Sequence, residues 1–430
     1  MKAFVENRFG LLALVLIALA ALYGVAFVTR PAVAPQRPVA AQRVAVESVT
    51  AVCPPPGGAN VAVYTGGGVT RKTVKGGKPY IVNGAGGLEA GYTTRVTSGR
   101  ERGLAGVRCA EPSATTWLIG PGPAEAALTL HLTNADKAVA FADIEVHAAE
   151  GRITPEQATG IEVKPGEHRE IDLRKLAPSA DVMALGVTTT SGRLAVSARA
   201  TLTSGGVDWL PAAAPPATHV VVPGIPGGGG RRELLVAAPG DTDALVRIRA
   251  ITEDAAYATK GRETLDVPAG AVASLDLTTG IGGQPAALEI TSETPVVAGL
   301  VAAGTGEQAD VAFTASTPAL DLGSAVAANG KGSRLILTAP GQAGKVRVQV
   351  VPSGEPFEVA VPAGRTKSVK LKGAGTFGVV ITPVSGHVYG GRVGEERLKR
   401  GLLLTVQPLA PGRTWTMRTP LADTPSVVAP

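Results

Sequence analysis

The sequence predicts an all-β protein, in which tandem immunoglobulin-like or fibronectin-like β-sandwich modules follow one N-terminal transmembrane helix. Short segments of alternating aliphatic and polar residues recur along the chain, and turns rich in Gly and Pro separate them. One 11-residue pattern also occurs three times at domain-sized spacing. Only 18% of the 430 residues are charged, which disfavours long charged helices, whereas the 45% that are hydrophobic are enough for packed cores.

The segment 9–28 is uncharged and almost wholly apolar, and its length matches the roughly 20 residues that cross a bilayer as a helix. We predict a transmembrane helix or an uncleaved signal anchor. A cleaved signal peptide needs a shorter apolar region and a site of small residues. Ala32 and Ala34 fit such a site poorly because Pro35 follows them.

Residues 1–8 are predicted to be a cytoplasmic tail, and residues 29–43, with three prolines, a semi-rigid stalk. Basic residues flank the helix on both sides, so the positive-inside rule does not decide its orientation. The tail is short and both cysteines follow the helix. We therefore expect a single-pass protein of the cell membrane, in contact with lipid through its helix, with an extracytoplasmic body.

The two cysteines of the chain are Cys53 and Cys109, an isolated pair that predicts a disulfide if the body is exported. The alternative is two buried free thiols. A zinc site needs more Cys or His at close spacing than this sequence shows.

The 11-residue pattern reads VKPGEHREIDL from Val163, VPAGAVASLDL from Val267 and VPAGRTKSVKL from Val361. The copies begin 104 and 94 residues apart, which fits whole domains better than solenoid repeats of about 20–50 residues. We interpret each copy as a strand end, a turn at Pro or Gly and a second strand.

An alternating strand precedes each copy of the pattern. In the second, Val246 and Ile248 share one face while Arg247 and Arg249 share the other. One buried face and one solvated face are typical of antiparallel sheets. The Pro- and Gly-rich stretches 211–216 and 223–230 are predicted to be linkers or long loops.

These signals predict a Cys-containing β module over 44–120 and β-sandwich repeats over 121–210, 211–320 and 321–430. Aromatic residues recur at intervals of 92, 104 and 102 residues, and we interpret them as module-core side chains, with carbohydrate stacking as the alternative. They are Trp117, Trp209, Phe313 and Trp415. A shortened relative of the repeat around 97–109 fits the first module.

Several stretches of the chain carry a family resemblance: Asp208 to Pro211, Val222 to Pro226, Leu234 to Val236, Pro239 to Ala244, and Cys109 to Pro112 with Trp117. Together they resemble an actinobacterial family catalogued as domain of unknown function 5719. The resemblance implies an actinobacterial envelope protein with a single N-terminal membrane helix. The family has no established activity, so no functional residue is carried over.

The sequence contains no recognisable catalytic motif. No Gly-x-Ser-x-Gly elbow or His-Glu-x-x-His motif is present, and the five histidines are widely spaced, which favours ordinary strand or surface residues over metal ligands. Asp241 to Asp243 is interpreted as a hairpin turn rather than a Ca²⁺ site. The net charge is +6, but acidic residues are mixed with the basic ones and no concentrated basic stripe is visible. Nucleic-acid binding is therefore not expected.

We therefore expect no catalytic, cofactor or metal site. The leading hypothesis is a non-catalytic, membrane-anchored extracytoplasmic protein that binds or scaffolds a cell-wall polymer or another envelope protein. The alternative is an envelope enzyme, or its accessory subunit, acting on cell-wall glycans through a pair of carboxylates.

Overall fold

A computed structural model describes residues 2–29, 42–412 and 415–418. Residues 45–416 form one compact unit, called the body below, and the N-terminal helix belongs to a second unit. The predicted stalk lies largely outside the described residues. Helix α1 spans Lys2–Val28, and its segment Phe9–Val28 has a mean hydropathy of 2.8. This segment is long and apolar enough to cross a membrane, a test that a signal sequence also passes.

The predicted all-β class is confirmed. Besides α1, the described part of the chain contains 33 strands and two single-turn 3₁₀ helices, Glu156–Ala158 and Leu173–Lys175. Strands β1 (Gln42–Ala45) and β33 (Trp415–Arg418) form a two-stranded sheet. The remaining strands form four groups that we call the first to fourth β-units.

The first β-unit comprises six strands in two sheets. They are β2 (Val49–Cys53), β3 (Asn60–Tyr64), β4 (Val69–Thr73), β5 (Tyr80–Gly84), β6 (Glu89–Val96) and β7 (Gly103–Arg108). The sheet orders are β2-β5 and β4-β3-β6-β7.

The second β-unit has a sheet of order β11-β10-β14-β8, with β12 added to β10, and a sheet of order β13-β9-β15-β16. Its strands are β8 (Thr115–Pro121), β9 (Ala126–Thr133), β10 (Ala140–Ala148), β11 (Gly151–Ile153), β12 (Ile161–Val163), β13 (His168–Asp172), β14 (Val182–Ser191), β15 (Ala195–Leu202) and β16 (Val207–Leu210).

The third β-unit contains an 18-residue strand that passes from one sheet layer to the other. Its strands are β17 (Ala217–Ile225), β18 (Arg232–Ala237), β19 (Ala244–Thr252), β20 (Ala256–Ala258), β21 (Thr264–Val267), β22 (Val272–Asp276), β23 (Ala286–Ala303) and β24 (Val311–Ala315). The first part of β23 pairs with β17 and β19, and its last part pairs with β18 and β24.

The fourth β-unit has sheets of order β25-β30-β27-β28 and β29-β26-β31-β32. Its strands are β25 (Ser324–Asn329), β26 (Arg334–Ala339), β27 (Gly344–Val351), β28 (Phe357–Val361), β29 (Arg365–Lys370), β30 (Phe377–Ser385), β31 (Tyr389–Leu398) and β32 (Gly401–Pro408).

Every β-unit contains four neighbouring strands in the same order: β4-β3-β6-β7, β13-β9-β15-β16, β22-β18-β23-β24 (within a larger sheet) and β29-β26-β31-β32. The final strands of these sheets contact one another in a closed ring, β7 to β16, β16 to β24, β24 to β32 and β32 to β7. We call them the ring strands. Whether the β-units are immunoglobulin-like, and where their predicted boundaries fall, stay predictions.

Local sequence explains the turns and strand faces. The glycine of each 11-residue copy has a positive φ, which L side chains rarely adopt, at 73°, 71° and 63° for Gly166, Gly270 and Gly364. In β19, Val246 and Ile248 are buried whereas Arg247 and Arg249 are exposed, as the alternation predicts.

The β-units share hydrophobic cores. The core of the second β-unit extends into the third through Leu235, Val272 and Val297, and that of the third extends into the fourth through Val393 and Leu404. The stretch 223–230 is not a linker throughout, because its first three residues are buried at the end of β17. Burial of apolar surface between β-units therefore fuses them into one body.

The structure contains the predicted disulfide between Cys53 and Cys109. Cys53 ends β2 and Cys109 follows β7, so the bond joins the two sheets of the first β-unit. Both residues are buried in the core of that β-unit.

We expect the double variant Cys53→Ala, Cys109→Ala to unfold at a lower guanidinium concentration than the wild type. Closing a loop of 56 residues stabilises a fold by about 4 kcal/mol in the chain-entropy model. Circular dichroism would follow unfolding with and without a reductant. The reductant should lower the unfolding midpoint of the wild type toward that of the variant and leave the midpoint of the variant unchanged. Wild-type unfolding curves that coincide with and without reductant would contradict the prediction.

Candidate functional site

A buried carboxylate lies where the four ring strands meet. Asp310 immediately precedes β24 and is 1% exposed. Its Oδ2 accepts the N–H of Leu104 at 2.8 Å and that of Leu404 at 2.9 Å, and its Oδ1 accepts those of Val207 at 3.3 Å and Val311 at 2.8 Å. These donors belong to β7, β32, β16 and β24, so one side chain connects all four ring strands.

A second buried carboxylate, Asp208 in β16, adds to these connections. Its Oδ1 accepts the N–H of Gly106 and that of Trp209, both at 2.9 Å, and the hydroxyl of Thr405 at 3.2 Å. The close approach of the strands requires glycine at two positions. A Cβ on Gly103 would collide with Asp310, and one on Gly106 would lie 2.6 Å from the Thr405 hydroxyl.

Burial governs the protonation of these two groups. Loss of hydration raises the pKa of Asp310 to about 6, although four accepted N–H bonds lower it in part. The pKa of Asp208 is raised well above its usual value, chiefly by burial and also by the charge of Asp310. Backbone N–H groups bond both oxygens of Asp310 and Oδ1 of Asp208, so we assign the two residues a structural role.

Two buried charged side chains, Glu89 and Arg392, lie between the first and fourth β-units near the ring strands. Glu89 in β6 accepts the N–H of Ala327, and the guanidinium of Arg392 donates to the Ala328 carbonyl at 2.9 Å. Burial raises the pKa of Glu89, and the nearby charges of Arg108 and Arg392 oppose this shift. The sequence gives one signal for this cluster, a charged residue between apolar strand residues, and it was not among the predicted site residues.

A cavity of about 310 Å³, which we call the tryptophan cavity, lies where the first, second and fourth β-units meet. Trp117 and Trp209 line it, together with the polar side chains of Arg108, Glu111 and Gln407. Glu111 is the one carboxylate among its lining residues. The lining therefore lacks the two facing carboxylates that glycoside hydrolysis needs.

A second cavity of about 450 Å³ lies between the first and fourth β-units. Two carboxylates line it, but both form ion pairs with arginine: Glu396 with Arg95 at 2.6 Å and Glu395 with Arg334 at 3.2 Å. The Arg95 hydrogen bond lowers the pKa of Glu396, which makes that carboxyl a poor general acid.

The structure brings together three residues that the sequence analysis treated as unrelated. His131 in β9 lies beside β13, which carries His168 and Glu170, and Glu170 is the register partner of His131. The wide spacing of the histidines favoured ordinary strand or surface residues over metal ligands, but antiparallel pairing brings this pair together although they are 37 positions apart. The motif His-x-Glu on one face of a strand was the signal in the sequence.

The predicted module-core aromatics do not all lie at the same position of their β-units. Trp209 in β16 and Phe313 in β24 lie in corresponding ring strands, whereas Trp117 lies in β8, the first strand of its β-unit. These three are buried. The Trp209 ring packs edge-on against Tyr92 at 6.4 Å and lies 5.3 Å from the His131 ring. The side chain of Trp415 lies outside the described residues.

Comparison with known proteins identifies one family. Residues 69–379 match the family described as "Family of unknown function (DUF5719)". The chain belongs to this family. The match includes strands from all four β-units of this DUF5719 protein, and its actinobacterial origin stays a prediction.

No curated protein matches this DUF5719 chain. Among solved structures, the α-L-rhamnosidase of Streptomyces avermitilis complexed with L-rhamnose is similar to 88% of the chain, with 11% identity and a TM-score of 0.13. The chain spans about half, 54%, of that enzyme's length. Such a TM-score supports no conclusion about fold or activity.

The variant Asp310→Asn is expected to destabilise the body by about 2–5 kcal/mol at pH 7. The amide offers one acceptor oxygen to four N–H donors, and its NH₂ group faces donors rather than acceptors. Guanidinium unfolding monitored by circular dichroism would measure the change. The matched control is Asp241→Asn. The Asp241 side chain is 99% exposed, so this variant should have the unfolding midpoint of the wild type. Equal midpoints for the Asp310 variant and the wild type would contradict the structural role.

Proposed function

We propose that this DUF5719 protein is a non-catalytic, membrane-anchored protein of the cell envelope whose extracytoplasmic body binds or scaffolds a cell-wall polymer or another envelope protein. The apolar segment Phe9–Val28 would supply the anchor, and the disulfide suits an oxidising compartment. The tryptophan cavity is the proposed binding site.

The observation that carries this proposal is the composition of the tryptophan cavity. Two indole side chains give it apolar walls, and Arg108, Glu111 and Gln407 provide polar groups that can orient a ligand. Three β-units contribute to these walls, so the cavity exists only in the fused body. Apolar walls with a few polar groups are typical of sites that bind small ligands or ligand segments.

The acids of the described cavities argue against hydrolysis. The tryptophan cavity has one carboxylate in its lining, and the second cavity has two that are paired with arginine. Asp208 and Asp310 accept backbone hydrogen bonds and line neither cavity. General acid-base catalysis requires a carboxyl group within reach of the substrate proton.

The alternative is an envelope enzyme, or an accessory subunit of one, that acts on cell-wall glycans. One observation favours it: the tryptophan cavity combines indole side chains, on which sugar rings can stack, with the carboxylate of Glu111. An accessory subunit would use the same cavity to hold the glycan for a separate enzyme.

The test compares binding and hydrolysis by the full-length protein in detergent, mixed with insoluble cell-wall material from the source organism. We expect the protein to co-sediment without release of reducing sugar. The variant Ala212→Phe should weaken co-sedimentation at least 10-fold, because Ala212 is exposed and lines the cavity, which an added ring would obstruct.

The matched control for this experiment is Ala214→Phe, in the same loop but outside the cavity lining. It should bind like the wild type. Release of reducing sugar by the wild type would support the glycan-acting enzyme instead. Equal binding by both phenylalanine variants would overturn the assignment of the cavity, and the absence of any co-sedimentation would overturn the polymer as the ligand.

A further inference from the structure

We propose that His131, His168 and Glu170 form a binding site for one divalent transition-metal ion of the zinc class, with one coordination position open to water or a ligand. The site lies on the outer face of the sheet β13-β9-β15-β16. It is separate from the proposed polymer-binding function, which requires no metal.

The distances between the three ligand atoms match one face of a metal tetrahedron. His131 Nδ1 lies 3.4 Å from His168 Nε2, which in turn lies 3.4 Å from Glu170 Oε1. The third edge, from His131 Nδ1 to Glu170 Oε1, measures 3.6 Å. Zn²⁺ bonds of about 2.0–2.2 Å at tetrahedral angles place neighbouring ligands about 3.4 Å apart, so the three atoms have the mutual spacing of zinc ligands.

The surroundings prepare both imidazoles as ligands. The Thr133 hydroxyl lies 2.9 Å from His168 Nδ1, so it can accept the Nδ1 proton and leave the Nε2 lone pair directed at the site. The His131 ring packs beside the ring of Trp209, with 5.3 Å between their centroids. Neutral imidazole and ionised carboxylate are the forms that bind metals.

The site remains accessible although its histidines are largely buried. The side chains of His131 and His168 are 10% and 13% exposed, whereas that of Glu170 is 55% exposed. A metal ion can therefore enter from the Glu170 side. Three protein ligands and one open position are typical of zinc sites that bind a further molecule, unlike closed structural sites.

Other β-units provide an internal comparison. Register places Leu235, Val272 and Ser274 at the corresponding positions of the third β-unit, and Ile336, Thr366 and Ser368 at those of the fourth. Leu235 and Val272 pack into the core shared with the second β-unit, and Ile336 packs into the core of the third. The same sheet face thus mediates packing elsewhere but carries three metal-binding side chains in the second β-unit.

The experiment uses untagged full-length protein in detergent, stripped of metals with a chelator that is then removed. Titration with Zn²⁺ in competition with a chromophoric chelator would give stoichiometry and affinity. We expect one equivalent with a micromolar or lower Kd, and Co²⁺ should give the visible absorption of a tetrahedral site. Glu170→Gln and His168→Gln should each weaken binding at least 10-fold.

The matched control is His387→Gln, because His387 is an exposed histidine that also pairs with a carboxylate, that of Asp321. It should bind Zn²⁺ like the wild type. Glu170 is mostly exposed, so Glu170→Gln should fold normally, which circular dichroism would verify. Failure of the wild type to bind Zn²⁺, or equal binding by the folded Glu170→Gln variant, would overturn the proposal. Polymer co-sedimentation should be unchanged in Glu170→Gln, which separates this result from the proposed function.

Discussion

The organisation of the body depends on the hydrogen bonds that the carboxylate of Asp310 accepts. It accepts backbone N–H groups from β7, β16, β24 and β32, one strand from each β-unit. These donors lie in the interior, where an unsatisfied N–H costs about 1–3 kcal/mol. A buried carboxylate without donors would be costlier still. The N–H donors therefore need the carboxylate and the carboxylate needs the donors. All of these hydrogen bonds form only when the four ring strands are together.

Fusion of the β-units around this point has consequences for function. Hydrophobic cores cross from one β-unit to the next, and the hydrogen bond from the N–H of Ala327 to Glu89 connects the fourth to the first. Because both described cavities lie between β-units, their shapes depend on this packing. A ligand-binding role for the tryptophan cavity would therefore be lost with the interfaces, even if each sheet survived.

The proposed metal site illustrates how repeated architecture can acquire a local property. The corresponding face of the third and fourth β-units packs against a neighbour through Leu235, Val272 and Ile336. The second β-unit follows the smaller first one, and there the face carries His131, His168 and Glu170. Substitution of packing residues by polar ones is costly inside an interface but tolerable on a partly open face.

Local patterns in the sequence predict the alternating strands and the turns around the 11-residue copies, and the cysteine pair predicts the disulfide. The alternation around Val246 identifies β19, and the glycines of the 11-residue copies mark turns with positive φ. The roles of Asp310 and His131 could not be derived in this way. Their partners lie on strands far away in sequence, and only the tertiary pairing decides whether an acid in an apolar strand is satisfied or exposed.

The four β-units share one strand order, but the side chains at their interfaces differ. The difference between local and tertiary information explains this. Strand order depends on turns and alternation, which each β-unit encodes locally, whereas interfaces depend on which side chains meet across β-units. The ring strands meet at Asp208 and Asp310, acids of the second and third β-units alone.

Hydrogen exchange measured by mass spectrometry on the wild-type protein tests the fusion of the β-units most directly. The account predicts that peptides containing β7, β16, β24 and β32 are the slowest to exchange and, under conditions in which opening limits the rate, exchange together in one cooperative step. Independent exchange of the four ring strands, each at a rate characteristic of its own β-unit, would contradict it.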